Sequence, residues 1–443
     1  MTDDHLRRPR VRGPLPVRHA RASRSAPLIA AKVFIAALVV LTVSAGSITA
    51  YAAWDVVSSV KPGVHLATLP GHTAEPIPNV AAIQGGVNLL LVGTDTRTGQ
   101  GGVYSSAAEL SGSSGAGNND VTILIHIAQN HQSASVISIP RDMELPIPAC
   151  PQPGGGSSSP QDQNMMNTTL STGGLSCTVL TVEQLIGVTI PFAAEISFDG
   201  VAAMSNAVGG VTVCLATPVT DRYTNPQLNL PAGQQTLVGA MALSFLRSRH
   251  GVGDGSDLGR ISSQQVFLSA LVRKIDSAGV LGNPVTLYSL AKAATKNMVL
   301  SDTLTSPTTM VSIALALKNI GLGNIVFLQY PTDADPANTN RVIPDAAASA
   351  ILNSALQTDK PLQLTGIPGR AAKLASGSTP AGTGVAGTGS TSTSSTSTGT
   401  PSTGSGAASG TSTPAPTSTA VALPSNVTGQ TAAEQTCTVG NNG

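Results

Sequence analysis

Val87–Arg97, VNLLLVGTDTR, opens the folded part of the chain and decides its class. Five apolar residues run into Gly-Thr-Asp-Thr-Arg, which reads as a strand buried on both faces with Asp95 and Arg97 in the turn at its end. Two further stretches repeat the pattern. NNDVTILIHI (Asn118–Ile127) places Asp120 at the mouth of a second apolar strand, and SASVISIP (Ser133–Pro140) leads a third into Arg141-Asp142. Carboxylates and a guanidinium at successive strand ends stand where open α/β sheets receive ligands. His126 falls inside the second strand and reads as a satisfied histidine rather than a ligand. Between the first two strands, Thr98–Asn119 is rich in Gly and Ser and reads as a flexible excursion.

Outward from these strands, charge concentrates again in LSFLRSRHGVGDGSDLGRISSQQVFLSAL, Leu243–Leu271. An apolar helix end presents Arg247 and Arg249 on either side of Ser248. A Gly-rich turn with Asp254 and Asp257 follows, and then Arg260 and Gln264 open a second helix. Guanidinium forks match phosphate oxygens two at a time, and a helix start adds free backbone N–H groups. The cluster stands out because only 11% of the 443 residues are charged. His250, beside it, reads as a loop histidine.

The formal net charge of +1 hides an asymmetry. Seven Arg and Lys32 precede the apolar run VFIAALVVLTVSAGSITAYAA (Val33–Ala53), against Asp3 and Asp4 only; the remainder holds 16 basic and 21 acidic residues. No basic face remains for nucleic acid. The apolar run is long enough to span a bilayer, at ~1.5 Å per residue across a ~30 Å core. Its basic N-terminal flank predicts a single-pass anchor with a cytoplasmic N-terminus and an extracytoplasmic remainder. A cleaved signal peptide is the competing reading.

Farther on, TVEQLIGVTI, FDGVAAMSNAV and QTLVGAMALSFL read as helical in whole or part, and GGVTVCL as a strand. Helices over 266–277, 285–297, 307–319 and 344–356 alternate with the strand IVFLQY. The mixture predicts an α/β fold, a three-layer α/β/α sandwich around a central mixed sheet, preceded by one transmembrane helix. The expected organisation is a basic disordered tail (1–32), the membrane helix (33–53), a connector (54–86), the catalytic domain (87–365) and a disordered Ser/Thr/Gly/Pro tail (366–443). Such a tail cannot bury enough apolar area to offset its ordering entropy. Four cysteines lie on the oxidising side of the membrane,. Cys150 is expected to pair with Cys177 across a Pro/Gly/Ser insertion, which leaves Cys214 and Cys437 by arithmetic.

In order along the chain, GTDTR, the aspartate of NNDVTILIHI, SIPRD, DGVAAMSNAVGGVTV and LRSR…DLGR…QQ resemble the LytR-CpsA-Psr family, with weaker similarity through DADPANTNRVIPD. The resemblance covers roughly 87–274. It implies an extracytoplasmic enzyme that moves a glycopolymer from a polyprenyl-pyrophosphate carrier onto a peptidoglycan hydroxyl. It also implies Asp95 and Asp120 as ligands of Mg²⁺ (or Mn²⁺), with Arg97, Arg141, Arg247, Arg249, Arg260 and Gln264 on the pyrophosphate. Asp257 would orient an arginine or accept the acceptor's proton, and Asp142 would back Arg141. Two positions depart from the family pattern: Asn118 and Ser263 stand where it usually has Arg, which thins the anion-binding shell. A pyrophosphate hydrolase and a non-catalytic glycolipid-binding or attenuator protein are the alternative readings.

Overall fold

The computed structural model describes residues 26–69, 86–98, 100, 110, 117–152, 154–277, 283–376, 378 and 419–441. The readings of the N-terminal basic stretch, of most of Thr98–Asn119 and of the Ser/Thr/Gly/Pro run after Ser378 lie outside those residues. The chain divides into one unit up to Asp55 and a second from Val56 onward. The first holds most of a helix, α1 (Ala26–Ser58), longer than the apolar run at both ends; Pro27 falls in its first turn, where a missing N–H costs no helical bond,. Its window from Ala30 to Ser58 is long and apolar enough to cross a membrane, and Phe34, Leu38 and Leu41 among its side chains are exposed.

In the second unit the three strands read from sequence are β1 (Val87–Thr94), β2 (Asn119–Ile127) and β3 (Ala134–Ile139). They join β4 (Phe192–Ile196), β5 (Met298–Leu300), β6 (Ile325–Gln329) and β7 (Gly429–Thr431) in one sheet of order β5-β4-β1-β2-β3-β6-β7. The sheet is mixed: β1 runs antiparallel to β2 but parallel to β4, and β3 runs parallel to β6. Alternation at period two sends Leu90, Val92, Leu124, Ile137 and Ile139 to one face,. There they meet α2 (Thr169–Ile186), which supplies Val179 and Val182, and a C-terminal helix (Ala346–Gln357) that supplies Leu352 and Leu356. Val87, Ile123, Ile127 and Val136 face the other way. Because both faces are covered, the strands read as almost unbroken apolar runs.

The remaining helices complete the layers: α3 (Phe198–Ala207), α4 (Ala240–Arg247), α5 (Asp257–Ser277), α6 (Pro284–Asn297) and α7 (Pro307–Lys318), with α8 the helix Ala346–Gln357 already placed. Ile313 and Ala316 of α7 cover the second face, joined by Leu268 and Val272 of α5. QTLVGAMALSFL divides: Gly233–Leu237 is a strand, and the helix starts only at Ala240, after Gly239 at φ 56°. A positive φ strains a side-chain-bearing residue, so glycine marks the break.

Two boundaries drawn from composition move. The connector is not free of the domain over its first part: the Ala67 amide donates to the Ser176 hydroxyl at 2.9 Å, Val64 exchanges backbone bonds with Leu300 and Asp302, and Val64 and Leu66 pack on the core. The tail is not disordered throughout. Residues 419–441 return to the fold, where β7 extends the central sheet and Thr436–Thr438 pairs with both Val211–Leu215 and Ala372–Leu374 in a second sheet. The apolar residues that hold it, Leu423, Val427 and Ala432, are each buried, but they are too sparse to show a period. Arg273 of α5 donates to the Ala432 and Glu434 carbonyls, both at 2.9 Å. Disulfides join Cys150 to Cys177 and Cys214 to Cys437, the second between residues in register on neighbouring strands.

Candidate functional site

Three segments far apart in sequence deliver the charged groups to one place. The β3 end carries Arg141 and Asp142, the β2 start carries Asp120, and the first turns of α5 carry Asp257 and Arg260. Ser256 starts α5 by accepting from the Gly259 amide at 3.1 Å and is itself held by Asp254. Asp257 therefore sits at the positive end of the helix dipole.

Asp257 is the hub. Its Oδ1 lies 2.7 Å from Arg260, 3.4 Å from Arg249 and 3.7 Å from Arg141. Arg141 also pairs with Asp120 and reaches Asp142 at 3.4 Å, and Arg260 donates to the Asp120 carbonyl at 2.7 Å. Both Asp257 oxygens and the Nε atoms of Arg141 and Arg260 are buried without hydrogen-bond partners, so attraction here is through charge with donor capacity left over. The electrostatics divide the arginines. Burial works against the charge on Arg141, but Asp120, Asp142 and Asp257 outweigh it and raise its pKa. At Arg249, burial and repulsion from Arg260 and Arg141 outweigh Asp257 and Asp120, and its pKa falls to about 10. Arg249 stands where negative charge is short.

Arg247, at the end of α4, has its guanidinium 4.0 Å from the centre of the Phe198 ring. Gln264 departs from its expected role on phosphate. Its Nε2 donates to the Leu246 carbonyl at 2.8 Å, and the side chain is buried. The amide thus caps the end of α4 and fixes the residues around Arg247. Arg97 follows Asp95 in the turn after β1, and its carbonyl accepts from the Gln100 amide at 3.3 Å.

Asp95 and Asp120 lie at neighbouring strand ends, since β1 and β2 pair through Thr94 and Asn119. The departure at Asn118 has a structural role: its backbone N–H and Nδ2 donate to the two Asp95 oxygens at 2.5 and 3.1 Å. An asparagine here clamps the carboxylate where an arginine would neutralise it. The departure at Ser263 is explained by the returning C-terminal segment. Ser263 is buried with its hydroxyl 3.4 Å from that of Thr438, so the strand Thr436–Thr438 fills the space a longer side chain needs.

Sequence reasoning missed two residues. Asp221, buried, accepts from the Ser248 hydroxyl at 2.7 Å and the Gly251 amide at 3.3 Å, which shapes the loop that carries Arg249. Arg341 lies 3.4 Å from Asp142 and backs the Arg141 pair. Only the charge of Arg341 within DADPANTNRVIPD hinted at it; Asp221 left no local signal. His126 lies 2.8 Å from the Asn88 side chain and 3.3 Å from Asp359, away from the cluster, and His250 stacks near Tyr223.

The charge-dense site thus stands at the strand ends of a three-layer sandwich. Residues 68–357 match the LytR_cpsA_psr family, and the chain belongs to it. Cell wall biosynthesis protein LcpA of Corynebacterium glutamicum is 32% identical over 269 residues, 56% of this chain and 51% of that protein. The polyisoprenyl-teichoic acid–peptidoglycan teichoic acid transferase TagU of Oceanobacillus iheyensis is 31% identical over 209 residues, 45% of this chain and 58% of that protein. The chain spans about half the length of the curated relatives it matches. Its fold is like that of protein gbs0355 from Streptococcus agalactiae, with a TM-score of 0.50 at 21% identity, over 62% of this chain and 87% of that one.

Proposed function

We propose that this protein transfers a phosphoryl-linked glycan from a polyprenyl-pyrophosphate carrier to a peptidoglycan hydroxyl, outside a membrane to which α1 anchors it. The observation that carries the reading is Arg249, a half-buried guanidinium held 3.4 Å from Asp257 and crowded by Arg260 and Arg141. A pyrophosphate oxygen beside it supplies the missing negative charge, and its fork is the geometry a phosphate accepts. The relatives named for wall assembly and teichoic acid transfer point to the same chemistry.

Arg141, Arg249 and Arg260 form the wall against which charge on the transferred phosphoryl group would develop, and Arg247 and Arg97 would add further forks for the pyrophosphate. Asp257, enclosed by three guanidiniums, serves to orient them. Asp95 and Asp120 offer the hard oxygen ligands that suit Mg²⁺ or Mn²⁺, which takes one or two carboxylates and leaves other positions to phosphate. When bound, the ion would neutralise phosphate oxygens. Asn118 then orients one ligand, and Arg141 holds Asp120 in its place.

The test is turnover of a lipid-linked glycan with and without peptidoglycan. Product joined to peptidoglycan is expected; release of free glycan phosphate in both arms favours the hydrolase, and no turnover favours a binding protein. For topology, protease added outside spheroplasts should digest the second unit, and full protection contradicts the anchor orientation.

A further inference from the structure

Beside the arginine hub, but separate from it, a cavity of about 190 Å³ opens at the ends of β1 and β4. It meets the site at two points. Thr94 and Thr96 line it and flank Asp95 in the chain; Ser197 and Asp199 line it and flank Phe198, whose ring lies under Arg247. Its wall is polar and balanced in charge, with Glu195 and Asp199 opposite Lys61 and Lys296 among threonine, asparagine and glutamine side chains, and Val299 its one aliphatic lining residue. A prenyl chain gains nothing in such a wall, and a pyrophosphate finds no surplus of positive charge.

Glu195 is the informative group. It sits on β4 opposite Val92, half-buried, and its carboxyl lines the cavity. Burial raises its pKa to about 6, with only the Lys61 charge opposing. Gln100 closes the rim, buried, and accepts from the Asp199 amide at 2.9 Å, so the cavity wall is held in shape. Its volume lies below the ~300 Å³ of a drug-sized pocket,. That is room for one sugar ring and not for a polymer.

We propose that this cavity seats a single pyranose unit of a glycan substrate beside the transfer site, with Glu195 and Lys296 hydrogen-bonding its hydroxyl groups. The proposal rests on the transferase reading for its substrate, and the donor and acceptor glycans share the required chemistry. The cavity thus sets which sugar stands next to the reacting phosphate.

Full-length protein in detergent micelles is titrated with free peptidoglycan disaccharide by NMR, as wild type and as Glu195→Gln, Glu195→Ala and Lys296→Met. Transfer kinetics are measured on the same proteins with donor and acceptor varied in turn. Loss of a hydrogen bond to a charged group should raise a KM about tenfold or more, with kcat within about threefold. A rise in acceptor KM, with weaker disaccharide binding, places the acceptor's sugar in the cavity; a rise confined to donor KM places the donor's sugar there. Glu195→Gln and Lys296→Met keep nearly the original volume, so a folding failure of the alanine variant leaves the test intact. If both KM values stay within about twofold of wild type in folded variants, the proposal is overturned. If wild type shows no transfer at all, the transferase reading fails by itself. The titration then decides this one: binding weakened at Glu195 supports a sugar seat, and absence of binding overturns it.

Discussion

Replacing Asp257 by Asn keeps the shape of the hub and removes the negative charge that touches three of its guanidiniums. With contacts at 2.7, 3.4 and 3.7 Å to Arg260, Arg249 and Arg141, the gross attractions are roughly 6, 5 and 4.5 kcal/mol at an effective dielectric of about 20. Most of that offsets the desolvation of groups whose side chains are 5 to 27% exposed. The net loss expected when one partner of a buried ion cluster is removed is about 3–5 kcal/mol. Urea unfolding of Asp257→Asn should show that loss as a lower midpoint with unchanged slope. Two companion measurements separate charge from packing. Inorganic pyrophosphate should stabilise the variant more than wild type, because Arg249 and Arg260 lose their paired carboxylate, Arg141 keeps only Asp120 and Asp142, and ligand binding adds stability by mass action,. Adding Arg249→Met should recover part of the loss, because it removes one of the uncompensated charges. If Asp257→Asn unfolds within about 1 kcal/mol of wild type without added anion, the hub is not held by charge and the reasoning is wrong.

Three further outcomes are expected. Glu195 has a pKa raised from 4.5 to about 6, so its contribution to stability is intact below about 4.5 and is lost as pH rises through about 6. Glu195→Gln should therefore gain on wild type by up to roughly 2 kcal/mol between pH 4.5 and 7.5, at about 1.4 kcal/mol per pKa unit; unfolding midpoints that move in parallel at both pH values contradict it. Opening Cys214–Cys437, which closes 223 residues, should cost roughly 5 kcal/mol in the chain-entropy model, against 3–4 for Cys150–Cys177 over 27 residues,. Paired Cys→Ser variants compared by urea unfolding test this, and the reverse ranking refutes it. Asp95→Ala or Asp120→Ala should abolish turnover that depends on Mg²⁺ while lipid binding survives in part; normal turnover, or indifference to chelator, counts against these aspartates as ligands.

The central strands were legible because burial on both faces leaves a mark in every residue: VNLLLVGT, the stretch through ILIHI and SVISI are apolar wherever the sheet is covered. The helix α1 was legible from its long unbroken apolar run, and the approach of Arg249, Asp257 and Arg260 needs only a turn and a helix start. What sequence could not show is which partner a polar group chooses. Gln264 stands beside the arginines in the chain, yet the packing of α5 against α4 gives its amide to Leu246. Asn118 and Ser263 read as losses until β1 laid Asp95 against the first and Thr436–Thr438 was laid against the second. Asp221 shapes the loop of Arg249 from 27 residues before Ser248, and Arg341 backs Asp142 across 199. The C-terminal segment shows the difference most plainly. Its composition describes a chain that cannot fold alone, and that holds for it in isolation. Its order comes from edges that other residues built: β6 left open to Gly429–Thr431, and the strand of Cys214 left open to Cys437. Apolar periodicity is a local property and survives in sequence, whereas an open sheet edge exists only after distant strands have paired, so only the tertiary structure decided where that segment goes.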